Sequence, residues 1–246
     1  MPDTAAGTGD DHRAQAIFRR RVRLFVSAPA HGIGRYGNPT RYSSACLSSP
    51  ILPGMCARYE MSASPRTVMK RFNLEEPPAV PNSEDQRPTD QALIIDGDGA
   101  RLMRWGLSVS WDKKPLINAR AETLADKATF RPLLNQRCLV PMTAYLEWRR
   151  AEDGSKRKNR IAPATPGPAV FAGLTDGDTF TIVTCPPAPA IEHIHNRMPV
   201  ILTSEGAQAW IDPDIPFRQV SASLRPFEDA LMYEEQVPER VQGELF

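Results

Sequence analysis

A chain of 246 residues with a 41% hydrophobic fraction can form one domain with an ample core, or two small ones. No apolar run approaches the roughly 18 residues a bilayer-spanning helix needs, and "IFRRRVRLFVSAPAHG" (17–32) holds only a short, arginine-interrupted apolar patch, which argues against a signal peptide. The net charge of +1 divides into +4 over residues 1–54 (seven Arg against three Asp) and −3 over the rest (23 basic against 26 acidic), so any nucleic-acid contact is a local groove, not a basic face.

Residues 1–54 are rich in Gly, Ala, Ser, Pro and Arg with no sustained period, and read as a disordered leader, a propeptide or sequence upstream of the real start codon. At Met55 the texture changes. In "SASPRTVMKRFNLEE" Ser64 is the expected N-cap and Pro65 the first helical residue, with Val68, Met69 and Phe72 on one face. "PPAVPNSEDQRPTD" (77–90) reads as a proline-rich connection. Strands are expected over 92–95, 101–105, 137–142, 144–149, 169–174, 179–184 and 199–202, the first two joined by the turn "DGDG" (96–99). The segment 150–169, with Lys156, Arg157, Lys158 and Arg160, reads as an exposed, mobile connection. A last helix starts at Ser204 and buries Ala207 and Trp210, and residues 226–246 read as a polar tail. There is no internal repeat. The pattern predicts one α+β domain over 55–225, built on a mostly antiparallel sheet with a few helices.

Three polar clusters interrupt apolar strands: "INARAET" (117–123), "YLEWR" (145–149) and "HIHNRMP" (193–199). A lone polar group among large hydrophobes costs free energy unless it is paired or used. With Cys56 they supply a thiol, an amide, a carboxylate and an imidazole through Cys56, Asn118, Glu147 and His195, the parts of a nucleophilic site. Each residue alone has a plainer reading: Glu147 as the solvent side of a strand, His195 as a structural histidine, Asn118 as a turn cap. Cys138 and Cys185 read as small core residues and Cys46 has no assigned role. The four cysteines lack CxxC spacing, which favours reduced thiols in a cytosolic compartment and disfavours a zinc site at Cys56 and His195. No phosphate-loop glycine pattern or GxSxG elbow is present.

Taken in order, "MCARY", "WGLSVSW…PLINARAET", "YLEW" and "IHNRMPVIL" resemble the SOS response-associated peptidase (SRAP) family of abasic-site processing proteins, over Met55 to about Trp210. The resemblance implies a barrel-like core, and a catalytic cysteine exposed as a new amino terminus, which falls on Cys56. It assigns catalytic positions to Asn118, Glu147 and His195, and DNA-contacting positions to Arg58, Arg120, Trp148 and Thr184. It also implies self-processing peptidase and lyase-type chemistry, no cofactor or metal, and single-stranded DNA with abasic sites as the partner. The expected protein is a monomer, cytoplasmic and associated with the nucleoid when bound, with no membrane contact. Two departures stand out. Ala57 replaces the family's usual glycine, and "SEDQRPTD" replaces its Tyr-Asn-x-Ala-Pro segment, with only Pro88 recognisable.

The chemistry follows from the residues. An abasic deoxyribose opens to an aldehyde, and an amino-terminal cysteine carries an amine with a pKa of about 7.7–8.0, a substantial fraction of it neutral at cellular pH, unlike a lysine at about 10.4. Amine and thiol together close a thiazolidine on the aldehyde carbon, aided by the effective molarity of an intramolecular step. Two other readings are a thiol hydrolase pairing Cys56 with His195, which tolerates an internal cysteine, and an inactive DNA-binding module.

Overall fold

The computed structural model describes residues 57–81 and 83–236. The leader expected over 1–54, and with it Cys46, Met55 and Cys56, lies outside the described residues.

Helix signals act as read. Ser64 accepts a hydrogen bond from the Thr67 N–H at 3.2 Å and starts α1 (Pro65–Arg71) between β1 (Tyr59–Met61) and β2 (Ser83–Gln86). A hairpin of β3 (Gln91–Asp96) and β4 (Gly99–Trp105) closes through Gly97 and Asp98. A smaller hairpin, β5 (Leu107–Val109) and β6 (Asp112–Leu116), leads into β7 (Asn118–Arg120). Gly106 makes the entry possible: its φ of 122° suits glycine, and a Cβ there would lie 2.8 Å from Pro115. The chain continues through β8 (Arg137–Met142), β9 (Ala144–Arg150), β10 (Lys156–Pro163), β11 (Ala169–Thr175), β12 (Thr179–Cys185) and β13 (Met198–Pro199). It ends in α2 (Ser204–Ile211), α3 (Phe217–Val220) and β14 (Leu231–Gln236).

These strands form two larger sheets. One runs β11-β8-β3-β4-β12 and closes by β11–β12 pairing, giving a five-stranded barrel to which β12 attaches β7 and β13. The other runs β14-β10-β9-β1-β2. Pairing is antiparallel except where β12 runs parallel to β4 and β7. The fold is the expected α+β, mostly antiparallel, barrel-like core with few helices.

Aromatic side chains join barrel to sheet. Tyr59 of β1 lies edge-on to Trp105 of β4 and Phe171 of β11, at 5.4 and 5.8 Å, while Tyr145 of β9 meets Phe171 at 6.2 Å. Such pairs add about 0.5–1.5 kcal/mol each beyond the area they bury. Arg137, buried under Trp210, donates to the carbonyls of Trp210, Asp212 and Ile215 and so fastens the end of α2 to the barrel.

Four segments differ from the sequence expectation. Within 150–169, Lys156–Pro163 is a full strand: Asn159 and Ile161 are buried, Arg160 on the opposite face pairs with the buried Glu60 at 2.8 Å, and β9 and β14 hydrogen-bond both edges. Within 77–90, Ser83–Gln86 pairs with β1 as an edge strand. Of the strand expected over 199–202, only Pro199 lies in β13 (Met198–Pro199). Beyond it the chain crosses the barrel seam, Val200 N–H bonding the Val183 carbonyl on β12 and Leu202 N–H the Val170 carbonyl on β11. Within 226–246, Leu231–Gln236 pairs with β10, and its Glu235 bonds Arg149 at 2.7 Å, charge pairing in place of an apolar pattern.

Candidate active site

Strand alternation on β9 sorts its side chains. Tyr145 and Glu147 face one side, Leu146 and Trp148 the other. Glu147 is therefore buried, with a side chain 5% exposed, and not on the solvent side of its strand. Its Oε1 lies 3.8 Å from Nδ1 of His195, which follows the 3₁₀ turn Pro189–Ile191. That distance is longer than a hydrogen bond, so the two groups interact through charge, and only when the imidazole is protonated. The ring is oriented instead by Arg197, whose N–H and carbonyl lie 3.2 and 3.0 Å from Nδ1.

A second group of polar residues gathers on β12. Its register sets Asn118 beside Ile182 and Arg120 beside Thr184, and the period of two puts Asn118 and Arg120 on the same face of β7. Asn118 is buried and Arg120 exposed. Arg197 ties this group to His195: its Nη2 donates to the Thr184 carbonyl at 2.7 Å and to Thr184 Oγ1 at 3.2 Å, and its guanidinium grips Glu122 at 2.6 and 3.0 Å. Burial raises the Glu122 pKa, but hydrogen bonds from Arg197 and its own backbone, with the charges of Arg197 and Arg120, outweigh it and hold the carboxyl below its ordinary value. The buried Arg197 Nε–H meets no acceptor among the described residues.

Arg58 and Trp148 form a separate cluster. The Leu146 N–H donates to the Arg58 carbonyl at 3.0 Å, and the Arg58 guanidinium carbon stands 5.5 Å over the Trp148 ring. Arg58 Nη1 also donates to both oxygens of Asp85, at 3.0 and 2.8 Å. Arg58 and Trp148 thus share the face of the sheet opposite Glu147.

The structure brings Glu147 to His195, and joins His195 through Arg197 to Thr184, with Arg120 and Asn118 on the adjoining strand. Arg58 and Trp148 sit apart, and Cys56 lies outside the described residues. Arg197 and Glu122 stand inside quoted motifs without being singled out from sequence, because their pairing is made across 75 residues by the fold. Cys138 and Cys185 are buried, as core residues should be. Burial pushes the Cys185 thiol up to about 12, with Arg197 opposing and Glu122 adding to the shift. No group of three His, Cys, Asp or Glu among the described residues is placed to hold a metal ion.

The family model described as SOS response associated peptidase (SRAP) matches residues 55–243. Abasic site processing protein YoqW of Bacillus subtilis is 36% identical over 183 residues, spanning 65% of this chain and 81% of its own length. Abasic site processing protein HMCES of Xenopus tropicalis is 27% identical over 165 residues, spanning 52% of this chain and 49% of its own. A solved structure from Bacteroides thetaiotaomicron matches with a TM-score of 0.66 at 25% identity, over 74% of this chain and 93% of that one. A phage-related protein from Bordetella bronchiseptica, at 22% identity, shares the fold with a TM-score of 0.62, over 74% and 94% of the two chains.

Proposed function

This chain belongs to the SOS response associated peptidase family, and on that premise we propose that it processes abasic sites in DNA by covalent capture of the opened sugar on Cys56 as an amino-terminal residue. The observation that carries the reading is the buried Glu147 carboxylate beside His195, on the strand that pairs with the one Cys56 leads into. A buried acid next to an imidazole is a proton-transfer device.

The Cys56 amine adds to the aldehyde carbon and water leaves, giving an imine. The thiol then adds across that C=N bond, and its proton passes to nitrogen. The product thiazolidine holds the former aldehyde carbon between N and S, so the strand-breaking β-elimination of the free aldehyde is blocked. Glu147 gives a proton to the departing hydroxyl and recovers one from the carbinolamine nitrogen as the imine forms. His195 assists sugar ring opening, and Asn118 orients the aldehyde end. Arg120 and Arg58 offer bidentate phosphate contacts that carry no sequence information, and Trp148 a stacking face suited to single-stranded DNA. Thr184, fully buried, holds Arg197 and so supports the sugar side from behind. The protein acts as a cytoplasmic monomer in this scheme.

A free amine on Cys56 requires either initiation at Met55 with methionine removal or self-cleavage ahead of Cys56. The leader's composition favours the former, and the latter is the family's peptidase activity turned on its own chain.

Protein expressed from Met55, with methionine removal checked by intact mass, is incubated with an oligonucleotide holding one abasic site. A heat-stable adduct is expected, lost in Cys56→Ser and on placing an extra residue before Cys56. Glu147→Gln should slow adduct formation by roughly a hundredfold, within the range for general acid–base groups, while non-covalent binding stays within about twofold. No adduct from the wild type overturns the proposal, and an adduct indifferent to the extra residue points to an internal thiol instead.

A further inference from the structure

Arg58 does not face solvent alone. Its Nη1 is held by both oxygens of Asp85, and the same carboxylate accepts from Arg87 Nε at 2.9 Å and Nη2 at 2.6 Å. Arg58 and Asp85 are each 31% exposed at the side chain, so this pair can exchange partners with a solute. Asp85 belongs to "SEDQRPTD", the segment in which this chain departs from the resemblance drawn from its other motifs. Two features hold it there. Gln86 is fixed opposite Tyr59 by the β1–β2 register, and the turn Arg87–Asp90 closes behind with an Asp90 N–H to Arg87 carbonyl bond of 3.1 Å. Thr89 takes a φ of 76° in that turn, and its N–H is bonded to the Trp105 carbonyl at 2.9 Å.

A carboxylate and a phosphate present the same pair of anionic oxygens to a guanidinium. We infer that Asp85 is a specificity-determining residue: its carboxylate holds Arg58 Nη1, so a DNA strand gains a bidentate contact that includes this nitrogen only by exchanging phosphate for carboxylate. The inference rests on the reading of Arg58 as a phosphate contact. Arg87 retains the displaced carboxylate, which keeps a negative charge beside the strand. Binding of undamaged single strands is thereby weakened, and retention is left to the covalent step at an aldehyde. Arg120, exposed and without an ion pair among the described residues, gives its phosphate contact with no such exchange.

The test measures equilibrium binding of the full chain to an undamaged single-stranded oligonucleotide across a salt series. Undamaged DNA keeps the covalent step out of the readout. Asp85→Asn keeps an acceptor oxygen and removes the charge, and Asp85→Ala removes both. Both variants are expected to bind roughly threefold to tenfold tighter at low salt, with a salt slope steeper by up to about 0.7, the value for one added phosphate contact on a single strand. The gain should vanish in an Arg58→Ala background, since the charge acts through that side chain. Unchanged or weaker binding in the Asp85 variants, or a gain that persists without Arg58, overturns the inference. If Arg58→Ala alone leaves affinity and salt slope unaltered, the reading of Arg58 as a phosphate contact fails instead.

Discussion

Two arginine–carboxylate pairs flank the candidate site, and they differ in what else holds them. Arg197 has a side chain 14% exposed, grips Glu122 with two nitrogens, donates twice to Thr184 and steadies the His195 ring through its backbone. Arg58 rests on one half-buried carboxylate, shared with a second arginine, and on the face of Trp148. The same two functional groups thus make a strut in one place and an exchangeable contact in the other. Burial and the number of additional partners decide which.

Truncating each arginine sharpens the contrast most. Arg197→Ala strands the buried Thr184 carbonyl and loosens His195, and should cost about 2–3 kcal/mol of unfolding free energy together with most of the adduct-forming rate. Arg58→Ala should change stability by no more than about 0.5 kcal/mol, as exposed ion pairs do, and weaken DNA binding instead. Denaturant melts of the two variants beside single-strand titrations separate the effects, and equal destabilisation would erase the distinction.

A smaller effect concerns acid. The Glu122 carboxyl is held below its ordinary 4.5 in the folded chain, so its contribution is fully present above that value and is lost as pH falls through the lowered folded pKa. The stability difference between wild type and Glu122→Gln should therefore be constant from neutral pH down to about 4.5 and shrink below it. Thermal melts from pH 7 to 3 check this, and a difference that widens on acidification contradicts it. The smallest signal is a thiol reporter. Cys185, buried beside the strut, should resist alkylation at pH 8 in the wild type and in Arg58→Ala, and label measurably only in Arg197→Ala, where loosened packing admits solvent to the thiol and outweighs the loss of the charge that lowers its pKa. Quantitative mass spectrometry of alkylated peptides reads all three.

What the sequence made legible were features whose cause is local. Ser64 and Pro65 announce α1 because a cap and a missing N–H act within one turn, and the strand at 137–142 shows as an apolar run because both its faces are buried. The sequence pattern does not show β10 because its buried positions, Asn159 and Ile161, are diluted by cations, one of which, Arg160, finds its partner Glu60 only across the sheet. β14 was hidden for a related reason, since it is held by backbone pairing and by Glu235 on Arg149 and buries little of itself. At the site, Asn118, Glu147 and His195 were readable as polar residues in apolar surroundings. Arg197, Glu122 and Asp85 were not, because their roles are set by partners 75, 75 and 27 residues away that only the closed barrel and the β1–β2 pairing bring near.

The central claim is that a 1,2-aminothiol at Cys56 does the capturing, and the most direct measurement is mass mapping of the captured species. Adduct formed on an abasic oligonucleotide, trimmed by nuclease and digested with protease, should place the sugar remnant on a peptide that begins at Cys56, at the summed mass less one water. A remnant mapped to a lysine, or to a peptide in which another residue still precedes Cys56, would contradict the account.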